Sequence, residues 1–297
     1  MNYTGGTKLI VVQTYKFIES FNQRCSFSYL DGRDFKLKYD EELQGVTGNL
    51  RNKICLSLED LIKIHGYKKA KQKDNPTYVE AMNKFKELIE QDKLKEYLTW
   101  KNNKLRKMYY KDDKFIEKTN LFLEKNCLSS REKTDELKQR FSTDTPDCVL
   151  ELLKTFPKEQ SILDGNDDLW VPDRLLSNSK FAERVKPTVK EFLDGKWLEN
   201  YVYDVITHKL ENDQELKELY EKGQITIENN WEITKKNSDK KTGKNFELDV
   251  ILLNGYQVCG ISCTTSFKEL ECKNKGFEVI HRVRQIGGEE ARAVLVT

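Results

Sequence analysis

The sequence predicts a mixed α/β fold, and three observations carry that expectation. Two strand-like runs, Phe246 to Leu253 and Tyr256 to Cys263, are joined by Asn254-Gly255, the pair favoured in tight β-hairpins. Apolar residues recur at helical spacing on both sides, in Lys196 to Glu211 before the hairpin and in Phe267 to Ile286 after it. A further β-rich run, Gln224 to Lys235, precedes the hairpin across the polar turn Asn237 to Lys244. Another strand begins at Ala293, so the C-terminal order reads α-β-β-β-α-β.

Composition narrows the classes. The 297 residues suffice for two or three domains. Charged residues make up 34% of the chain, yet the net charge is only +2, so any attraction to nucleic acid is local. No apolar run approaches a membrane span, and the N-terminus lacks the apolar core of a signal peptide. Seven cysteines, an odd number without CxxC pairs, predict reduced thiols, and three scattered histidines argue against a His-rich metal site.

At the N-terminus, Thr4-Gly5-Gly6-Thr7-Lys8 leads into an apolar run from Leu9 to Phe21. A Gly-Gly pair lets backbone amides approach a ligand, a threonine can cap the helix, and a helix start favours anions. The same residues also suit an ordinary helix-start turn. Cys25 to Leu30 and Asp34 to Tyr39 then flank Asp31-Gly32-Arg33 as a second hairpin. A loop, helix and hairpin of this size bury too little core to stand alone, so further chain in front is expected. The strand beginning in Val294-Leu295-Val296 suggests the same at the other end, and a fragment or truncated product is the expectation.

From Leu50 to Lys186 the chain reads as helical and heavily charged. Leu58, Leu61, Ile62 and Ile64 predict a short helix before Gly66. Val79, Met82, Phe85, Leu88 and Ile89 predict a longer one continuing through Leu94, Tyr97, Leu98 and Trp100. Further helices are expected at Phe115 to Leu123, Arg131 to Phe141 and Cys148 to Phe156. Lys101, Lys104, Arg106, Lys107, Lys111 and Lys114, with Trp100, Tyr109 and Tyr110 interleaved, form either a nucleic-acid strip or a solvated charged face.

Chemistry concentrates on the C-terminal hairpin. Glu247 and Asp249 share one strand face, because side chains alternate with a period of two. Two carboxylates there suit a hard divalent cation such as Mg²⁺ or Mn²⁺, completed by waters and a substrate phosphate. The alternative is a solvated strand face. The helix upstream, with Trp197, Leu198, Tyr201, Val202, Val205 and Ile206 on its apolar stripe, carries Glu199.

That order, with an acid on the first helix and an Asp entering the central hairpin, resembles the PD-(D/E)XK restriction-endonuclease-like core. The wording GKWLENYV, FELDVILLNGYQVCGISCTTS and CKNKGFEVIHRVRQIGGEEARAVLVT narrows the resemblance. It is similar to the nuclease domain of CRISPR ancillary effectors that join a CARF sensor to this core and respond to cyclic oligoadenylate. NYTGGTK resembles the TGGTK segment of the same family's sensor. The implied organisation is a partial Rossmann-like CARF sensor tail over 1–49, a helical middle region over 50–187 and a nuclease-like domain over 188–297.

The resemblance implies cyclic tetra-adenylate contacts from Thr4, Gly5, Gly6, Thr7 and Lys8. It also implies a cytoplasmic homodimer, a DNA or RNA substrate and a divalent metal held by Glu199, Glu247 and Asp249. One departure stands out: family enzymes carry Glu-x-Lys on the second hairpin strand, where this chain has Ser262-Cys263-Thr264. The hydroxyls of Ser262 and Thr264 can hydrogen-bond to water or phosphate, but carry no charge.

Replacements for that ligand and cation are sought on the following helix, in Glu278 and in Lys273 or Lys275. Arg282 lies one turn after Glu278, so a plain helical ion pair is equally expected. His281, on the stripe of Phe277, reads as a half-buried packing residue, and Cys263 as a buried small hydrophobe. Two functions follow: a cyclic-oligoadenylate-activated, metal-dependent nuclease with a modified site, or a catalytically decayed ligand-sensing or nucleic-acid-binding module.

Overall fold

A computed structural model describes residues 8–21, 27–31, 33–39, 48–70, 78–102, 131–169, 189, 191–236 and 245–297. The fold is α/β. In chain order the elements begin with α1 (Lys8–Phe21), β1 (Ser28–Asp31), β2 (Lys36–Tyr39), α2 (Leu58–Ile64) and β3 (Tyr67–Lys69). The helices α3 (Val79–Glu90), α4 (Leu94–Trp100), α5 (Arg131–Asp144), α6 (Asp147–Lys154), α7 (Trp197–Asn212) and α8 (Gln214–Glu221) follow. The chain closes with β4 (Ile225–Lys235), β5 (Phe246–Asn254), β6 (Gln257–Cys263), α9 (Glu269–Gly287) and β7 (Arg292–Val296). Among the described residues no helix is long and apolar enough to cross a membrane.

Contacts group the chain into two units. The first comprises Met1–Gln72, Val205–Ser262 and Lys268–Val296, and the second Lys73–Asp204, Cys263–Phe267 and Thr297.

The first unit is built on a sheet of order β3-β4-β5-β6-β7, in which β3, β4, β5 and β6 pair antiparallel in turn. The expected α-β-β-β-α-β order is present, with α8 added before β4 and β3 added at the edge. Leu58, Leu61 and Ile62 of α2 pack with Trp231, Ile233, Phe246, Leu248, Ile251 and Leu253 of the sheet and with Val279, Val283 and Ile286 of α9. Burial of such side chains, each contributing about 1.5–3 kcal/mol, holds helix and sheet together. On α9 the inward stripe is therefore Val279, Val283 and Ile286. Phe277 is 72% exposed and His281 is exposed as well, so the expected packing stripe through those two is corrected: both lie on the opposite side of the helix from Val279.

Gly260 of β6 explains how closely α9 sits. A Cβ there would lie 2.2 Å from Val283 Cγ2, and one on Gly287 would lie 1.9 Å from Val258 Cγ1. Gly288, at φ 68°, ends the helix as expected.

The β5-β6 turn departs from the sequence reading by one residue. Asn254 pairs with Gln257, so the two loop residues are Gly255 and Tyr256 rather than Asn254 and Gly255. Gly255 alone of the two has positive φ, at 63°, which is the requirement of a type II′ turn rather than the type I′ that Asn-Gly signals. The Gly255 amide donates to the Gln224 carbonyl at 2.7 Å, and the Gly255 carbonyl accepts from Leu56 N–H at 3.1 Å.

The N-terminal hairpin of β1 and β2 pairs Ser28 with Tyr39 and Asp31 with Lys36. Phe35, in the turn, meets the Tyr256 ring edge-on at 6.0 Å, and the Arg51 guanidinium lies 4.9 Å over Phe35. Helix α1 leaves Ile10, Val12, Phe17 and Phe21 exposed.

The second unit is helical. Its core gathers Phe85, Leu88, Tyr97, Trp100, Phe141, Val149, Leu152, Leu153, Phe192 and Trp197. Phe85 stacks on Trp197 at 4.4 Å with the rings 4° from parallel. The continuous helix expected through Trp100 is broken at Asp92, whose φ of 55° turns the chain between α3 and α4. The helices expected at Arg131 to Phe141 and Cys148 to Phe156 are α5 and α6. Trp197, Leu198 and Tyr201 of α7 join this core, whereas Val205, expected on the same stripe, is 47% exposed. Residues 115–123 lie outside the described residues.

Candidate active site on the central strand

Asp249 sits on β5, the middle strand of the sheet. On its far side, the pairing of Val250 with Ile261 continues to put Ser262 opposite it, and Ser262 Oγ donates to Asp249 Oδ2 at 3.1 Å. On its near side, Trp231 pairs with Leu248 and Asn229 with Val250, so Asn230 falls between these pairs, level with Asp249. Asn230, Asp249 and Ser262 thus form one row across three strands.

Asn230 breaks the strand pattern. Its φ is 53°, in the left-handed region that Asn tolerates better than most residues. The inward side chains of β5 change parity at this row, running Phe246 and Leu248, then Ile251 and Leu253. The residue was not singled out by sequence reasoning. Its only signal was an Asn-Asn pair inside a run of strand formers.

Glu247 is exposed and Asp249 half-buried. Glu247 pairs across the sheet with Glu232, whose carboxylate accepts from Asn245 Nδ2 at 2.8 Å. Among the described residues, no group of three or more His, Cys, Asp or Glu side chains is arranged to hold a metal. The oxygens in the row of Asp249 are one carboxylate, one hydroxyl and one amide carbonyl. That hard-oxygen set suits Mg²⁺ or Mn²⁺, which commonly take one or two carboxylates and complete the shell with water.

The remaining predicted residues fall as follows. Glu199 lies in the first turn of α7, half-buried. Glu278 is 61% exposed and takes Arg282 at 3.5 Å, the helical ion pair that was one of its two readings. Lys273 is likewise exposed and paired with Glu269 at 2.6 Å, and Lys275 is exposed. Cys263 is buried, as expected, and the five described cysteines are all thiols. Thr4, Gly5, Gly6 and Thr7 lie outside the described residues, and Lys8 begins α1.

Thr264 is buried, and its Oγ1 accepts from the Ser266 amide at 3.2 Å. The next residue, Thr265, holds a group that sequence reasoning placed elsewhere. Lys101 Nζ donates to Thr265 Oγ1 at 2.6 Å and to the Asp194 carbonyl at 3.1 Å, while Thr265 Oγ1 donates to that same carbonyl at 2.8 Å. Lys101 is 0% exposed, so both sequence readings of it, as part of a basic strip or of a solvated face, are corrected. A buried ammonium is held by hydrogen bonds because leaving it unbonded costs on the order of several kcal/mol. Lys104 through Lys114 lie outside the described residues.

No protein-family model and no curated protein matches the chain. Solved structures do. Can2 from Sulfobacillus thermosulfidooxidans, solved in complex with cyclic tetra-adenylate, has a TM-score of 0.55 at 16% identity over 99% of this chain and 65% of its own. Protein VC1899 from Vibrio cholerae has a TM-score of 0.49 at 14% identity over 99% of this chain and 64% of its own. A type III CRISPR defence DNA nuclease activated by cyclic oligoadenylate has a TM-score of 0.37 at 16% identity over 99% of this chain and 31% of its own. The chain therefore shares the fold of Can2 and spans about two thirds of the length of the first two structures.

Proposed function

We propose that this chain is part of a cyclic-oligoadenylate-sensing CRISPR effector and that its sheet carries a metal-dependent nuclease site that hydrolyses phosphodiester bonds in DNA or RNA. The observation that carries the reading is Asp249, held by Ser262 on the central strand of an α-β-β-β-α-β core, in a chain that shares its fold with Can2. In this reading the protein acts as a cytoplasmic homodimer, with Thr4, Gly5, Gly6, Thr7 and Lys8 contacting cyclic tetra-adenylate.

Asp249 and Glu247 would hold the divalent cation, and the family resemblance implies Glu199 as a further carboxylate. When bound, such a cation polarises the phosphoryl oxygens and lowers the pKa of a water. Ser262 fixes the orientation of the Asp249 carboxylate by its hydrogen bond. The strand lacks the lysine of Glu-x-Lys. Lys273 or Lys275 of α9, both exposed, is the replacement cation in this reading. Glu278, paired with Arg282, is the replacement ligand considered for Ser262.

A second reading is favoured by one observation, the absence of a three-acid group among the described residues. It makes the chain a decayed, ligand-sensing or nucleic-acid-binding module. Cleavage of labelled single- and double-stranded DNA and RNA, with Mn²⁺ and with or without cyclic tetra-adenylate, separates the two. Ligand-stimulated cleavage by the whole protein that Asp249→Asn abolishes, with its circular dichroism unchanged, is the expected result. No cleavage by the whole protein, together with cleavage after Ser262→Glu and Thr264→Lys, would establish the decayed module instead.

A further inference from the structure

Asn230 carries two costs that packing does not explain. Its backbone stands at φ 53° within a β-strand, in a region that carries on the order of 1–3 kcal/mol of strain when a non-glycine residue is held there. Its Oδ1 is buried and has no hydrogen-bond partner among the described residues, a further penalty of about 1–3 kcal/mol. Both fall in the row of Asp249, the one strand position where Ser262 already grips a carboxylate.

We infer that Asn230 is a neutral oxygen donor to a divalent cation shared with Asp249. The inference rests on the metal-site reading proposed above and adds to it a ligand from β4 that no acidic pattern would disclose. The logic is one of electron pairs. A buried amide carbonyl without a donor has an unfilled acceptor, and the cation supplies an acceptor of those electrons that no N–H in the sheet provides. An amide oxygen is a hard ligand suited to Mg²⁺ or Mn²⁺, like the carboxylate beside it. The left-handed backbone takes the residue out of the strand's regular alternation, so its side chain is released from the alternating pattern that seats Trp231 and Ile233 in the core. Carboxylate, amide oxygen and waters together make the all-oxygen shell that a Mg²⁺-like cation takes.

The test separates this role from conformational tolerance, the other reason for Asn at positive φ. Mn²⁺ is titrated calorimetrically into the full chain and into Asn230→Gly, Asn230→Asp and Asp249→Asn, with metal-free thermal unfolding recorded for each. Glycine accepts the backbone and deletes only the amide. Asn230→Gly is expected to unfold at the same or a higher temperature without metal yet to bind Mn²⁺ at least about tenfold more weakly. Asn230→Asp, which keeps the backbone preference and adds charge, is expected to bind it more tightly than wild type. Wild-type affinity in Asn230→Gly, with binding lost in Asp249→Asn, would overturn the role of Asn230 and leave the Asp249 site standing. Absence of Mn²⁺ binding by the wild-type chain would overturn both.

Discussion

Lys101 and Thr265, far apart in sequence, share a buried hydrogen bond of 2.6 Å from ammonium to hydroxyl. The lysine is fully buried, and it also donates to the Asp194 carbonyl at 3.1 Å. Charge-assisted bonds of this kind contribute about 1.5–3 kcal/mol each, against a desolvation cost of the same order. Lys101→Met, which keeps the stem, is expected to lower unfolding free energy by about 1–3 kcal/mol, and Lys101→Ala by about 2–4 kcal/mol because it adds a cavity. Urea unfolding of both, with Thr265→Val and the double variants, measures the coupling. Additive effects would show that the bond contributes nothing of its own.

Tyr256 offers a pH-dependent signature. Its hydroxyl is buried without a partner among the described residues, and burial first, then the nearby Glu290 carboxylate, pushes its pKa up to about 12. The folded state thus holds the phenol proton more tightly than the unfolded chain, whose pKa is near 10. Stability from this group is complete below pH 10 and is lost as pH rises through 12. Tyr256→Phe should flatten that alkaline limb and raise stability near neutrality by about 1 kcal/mol, since it removes an orphaned hydroxyl. Thermal melts between pH 7 and 12 would read both effects.

Gly260 is expected to be intolerant for a packing reason. An added methyl would meet Val283 at 2.2 Å, so Gly260→Ala should cost about 1–3 kcal/mol. Val283→Ala alone also destabilises, but the double variant should be less destabilised than the sum, because the second change removes the obstructing methyls. Strict additivity in denaturant unfolding would contradict the close approach of α9 to β6.

The exposed face of α9 should be nearly silent in stability. Glu278 is 61% exposed beside Arg282, and Lys273 is 62% exposed beside Glu269. Surface pairs contribute about 0–1 kcal/mol. Glu278→Ala and Lys273→Ala are each expected to shift unfolding free energy by under about 0.5 kcal/mol, measured in urea at two salt concentrations. A loss above about 2 kcal/mol would mean that these side chains have partners beyond the pairs described.

The C-terminal elements were legible because composition and period agreed there. Phe246, Leu248 and Val250 alternate with Glu247 and Asp249 before the apolar run Ile251-Leu252-Leu253, and α9 is long enough for its periodicity to stand out. What escaped detection depended on the third dimension. β3 is three residues, Tyr67–Lys69, and becomes a strand only because β4 offers an edge. The break at Asp92 carries neither glycine nor proline. Lys101 follows the expectation that lysine is solvated, and nothing local says that Thr265 and the Asp194 carbonyl will enclose it. Asp249 and its neighbour Ser262 were both visible as residues, whereas Asn230 acquires meaning only from strand register.

The turn of the main hairpin sets more than a change of direction. β5 is antiparallel to β6, so its numbering against β6 is fixed at one place, the pairing of Asn254 with Gln257. From there the ladder counts back five steps, about 17 Å, to Asp249. Centred one residue earlier, on Asn254 and Gly255, the same count would end with Asp249 opposite Gly260, which has no hydroxyl to offer. The origin of that scale is clamped: Gly255 is bonded to Gln224 and Leu56, and a side chain on it would lie 1.9 Å from the Arg51 carbonyl. The partner of the acid is thus chosen at the opposite end of the hairpin, by a residue that takes no part in its chemistry.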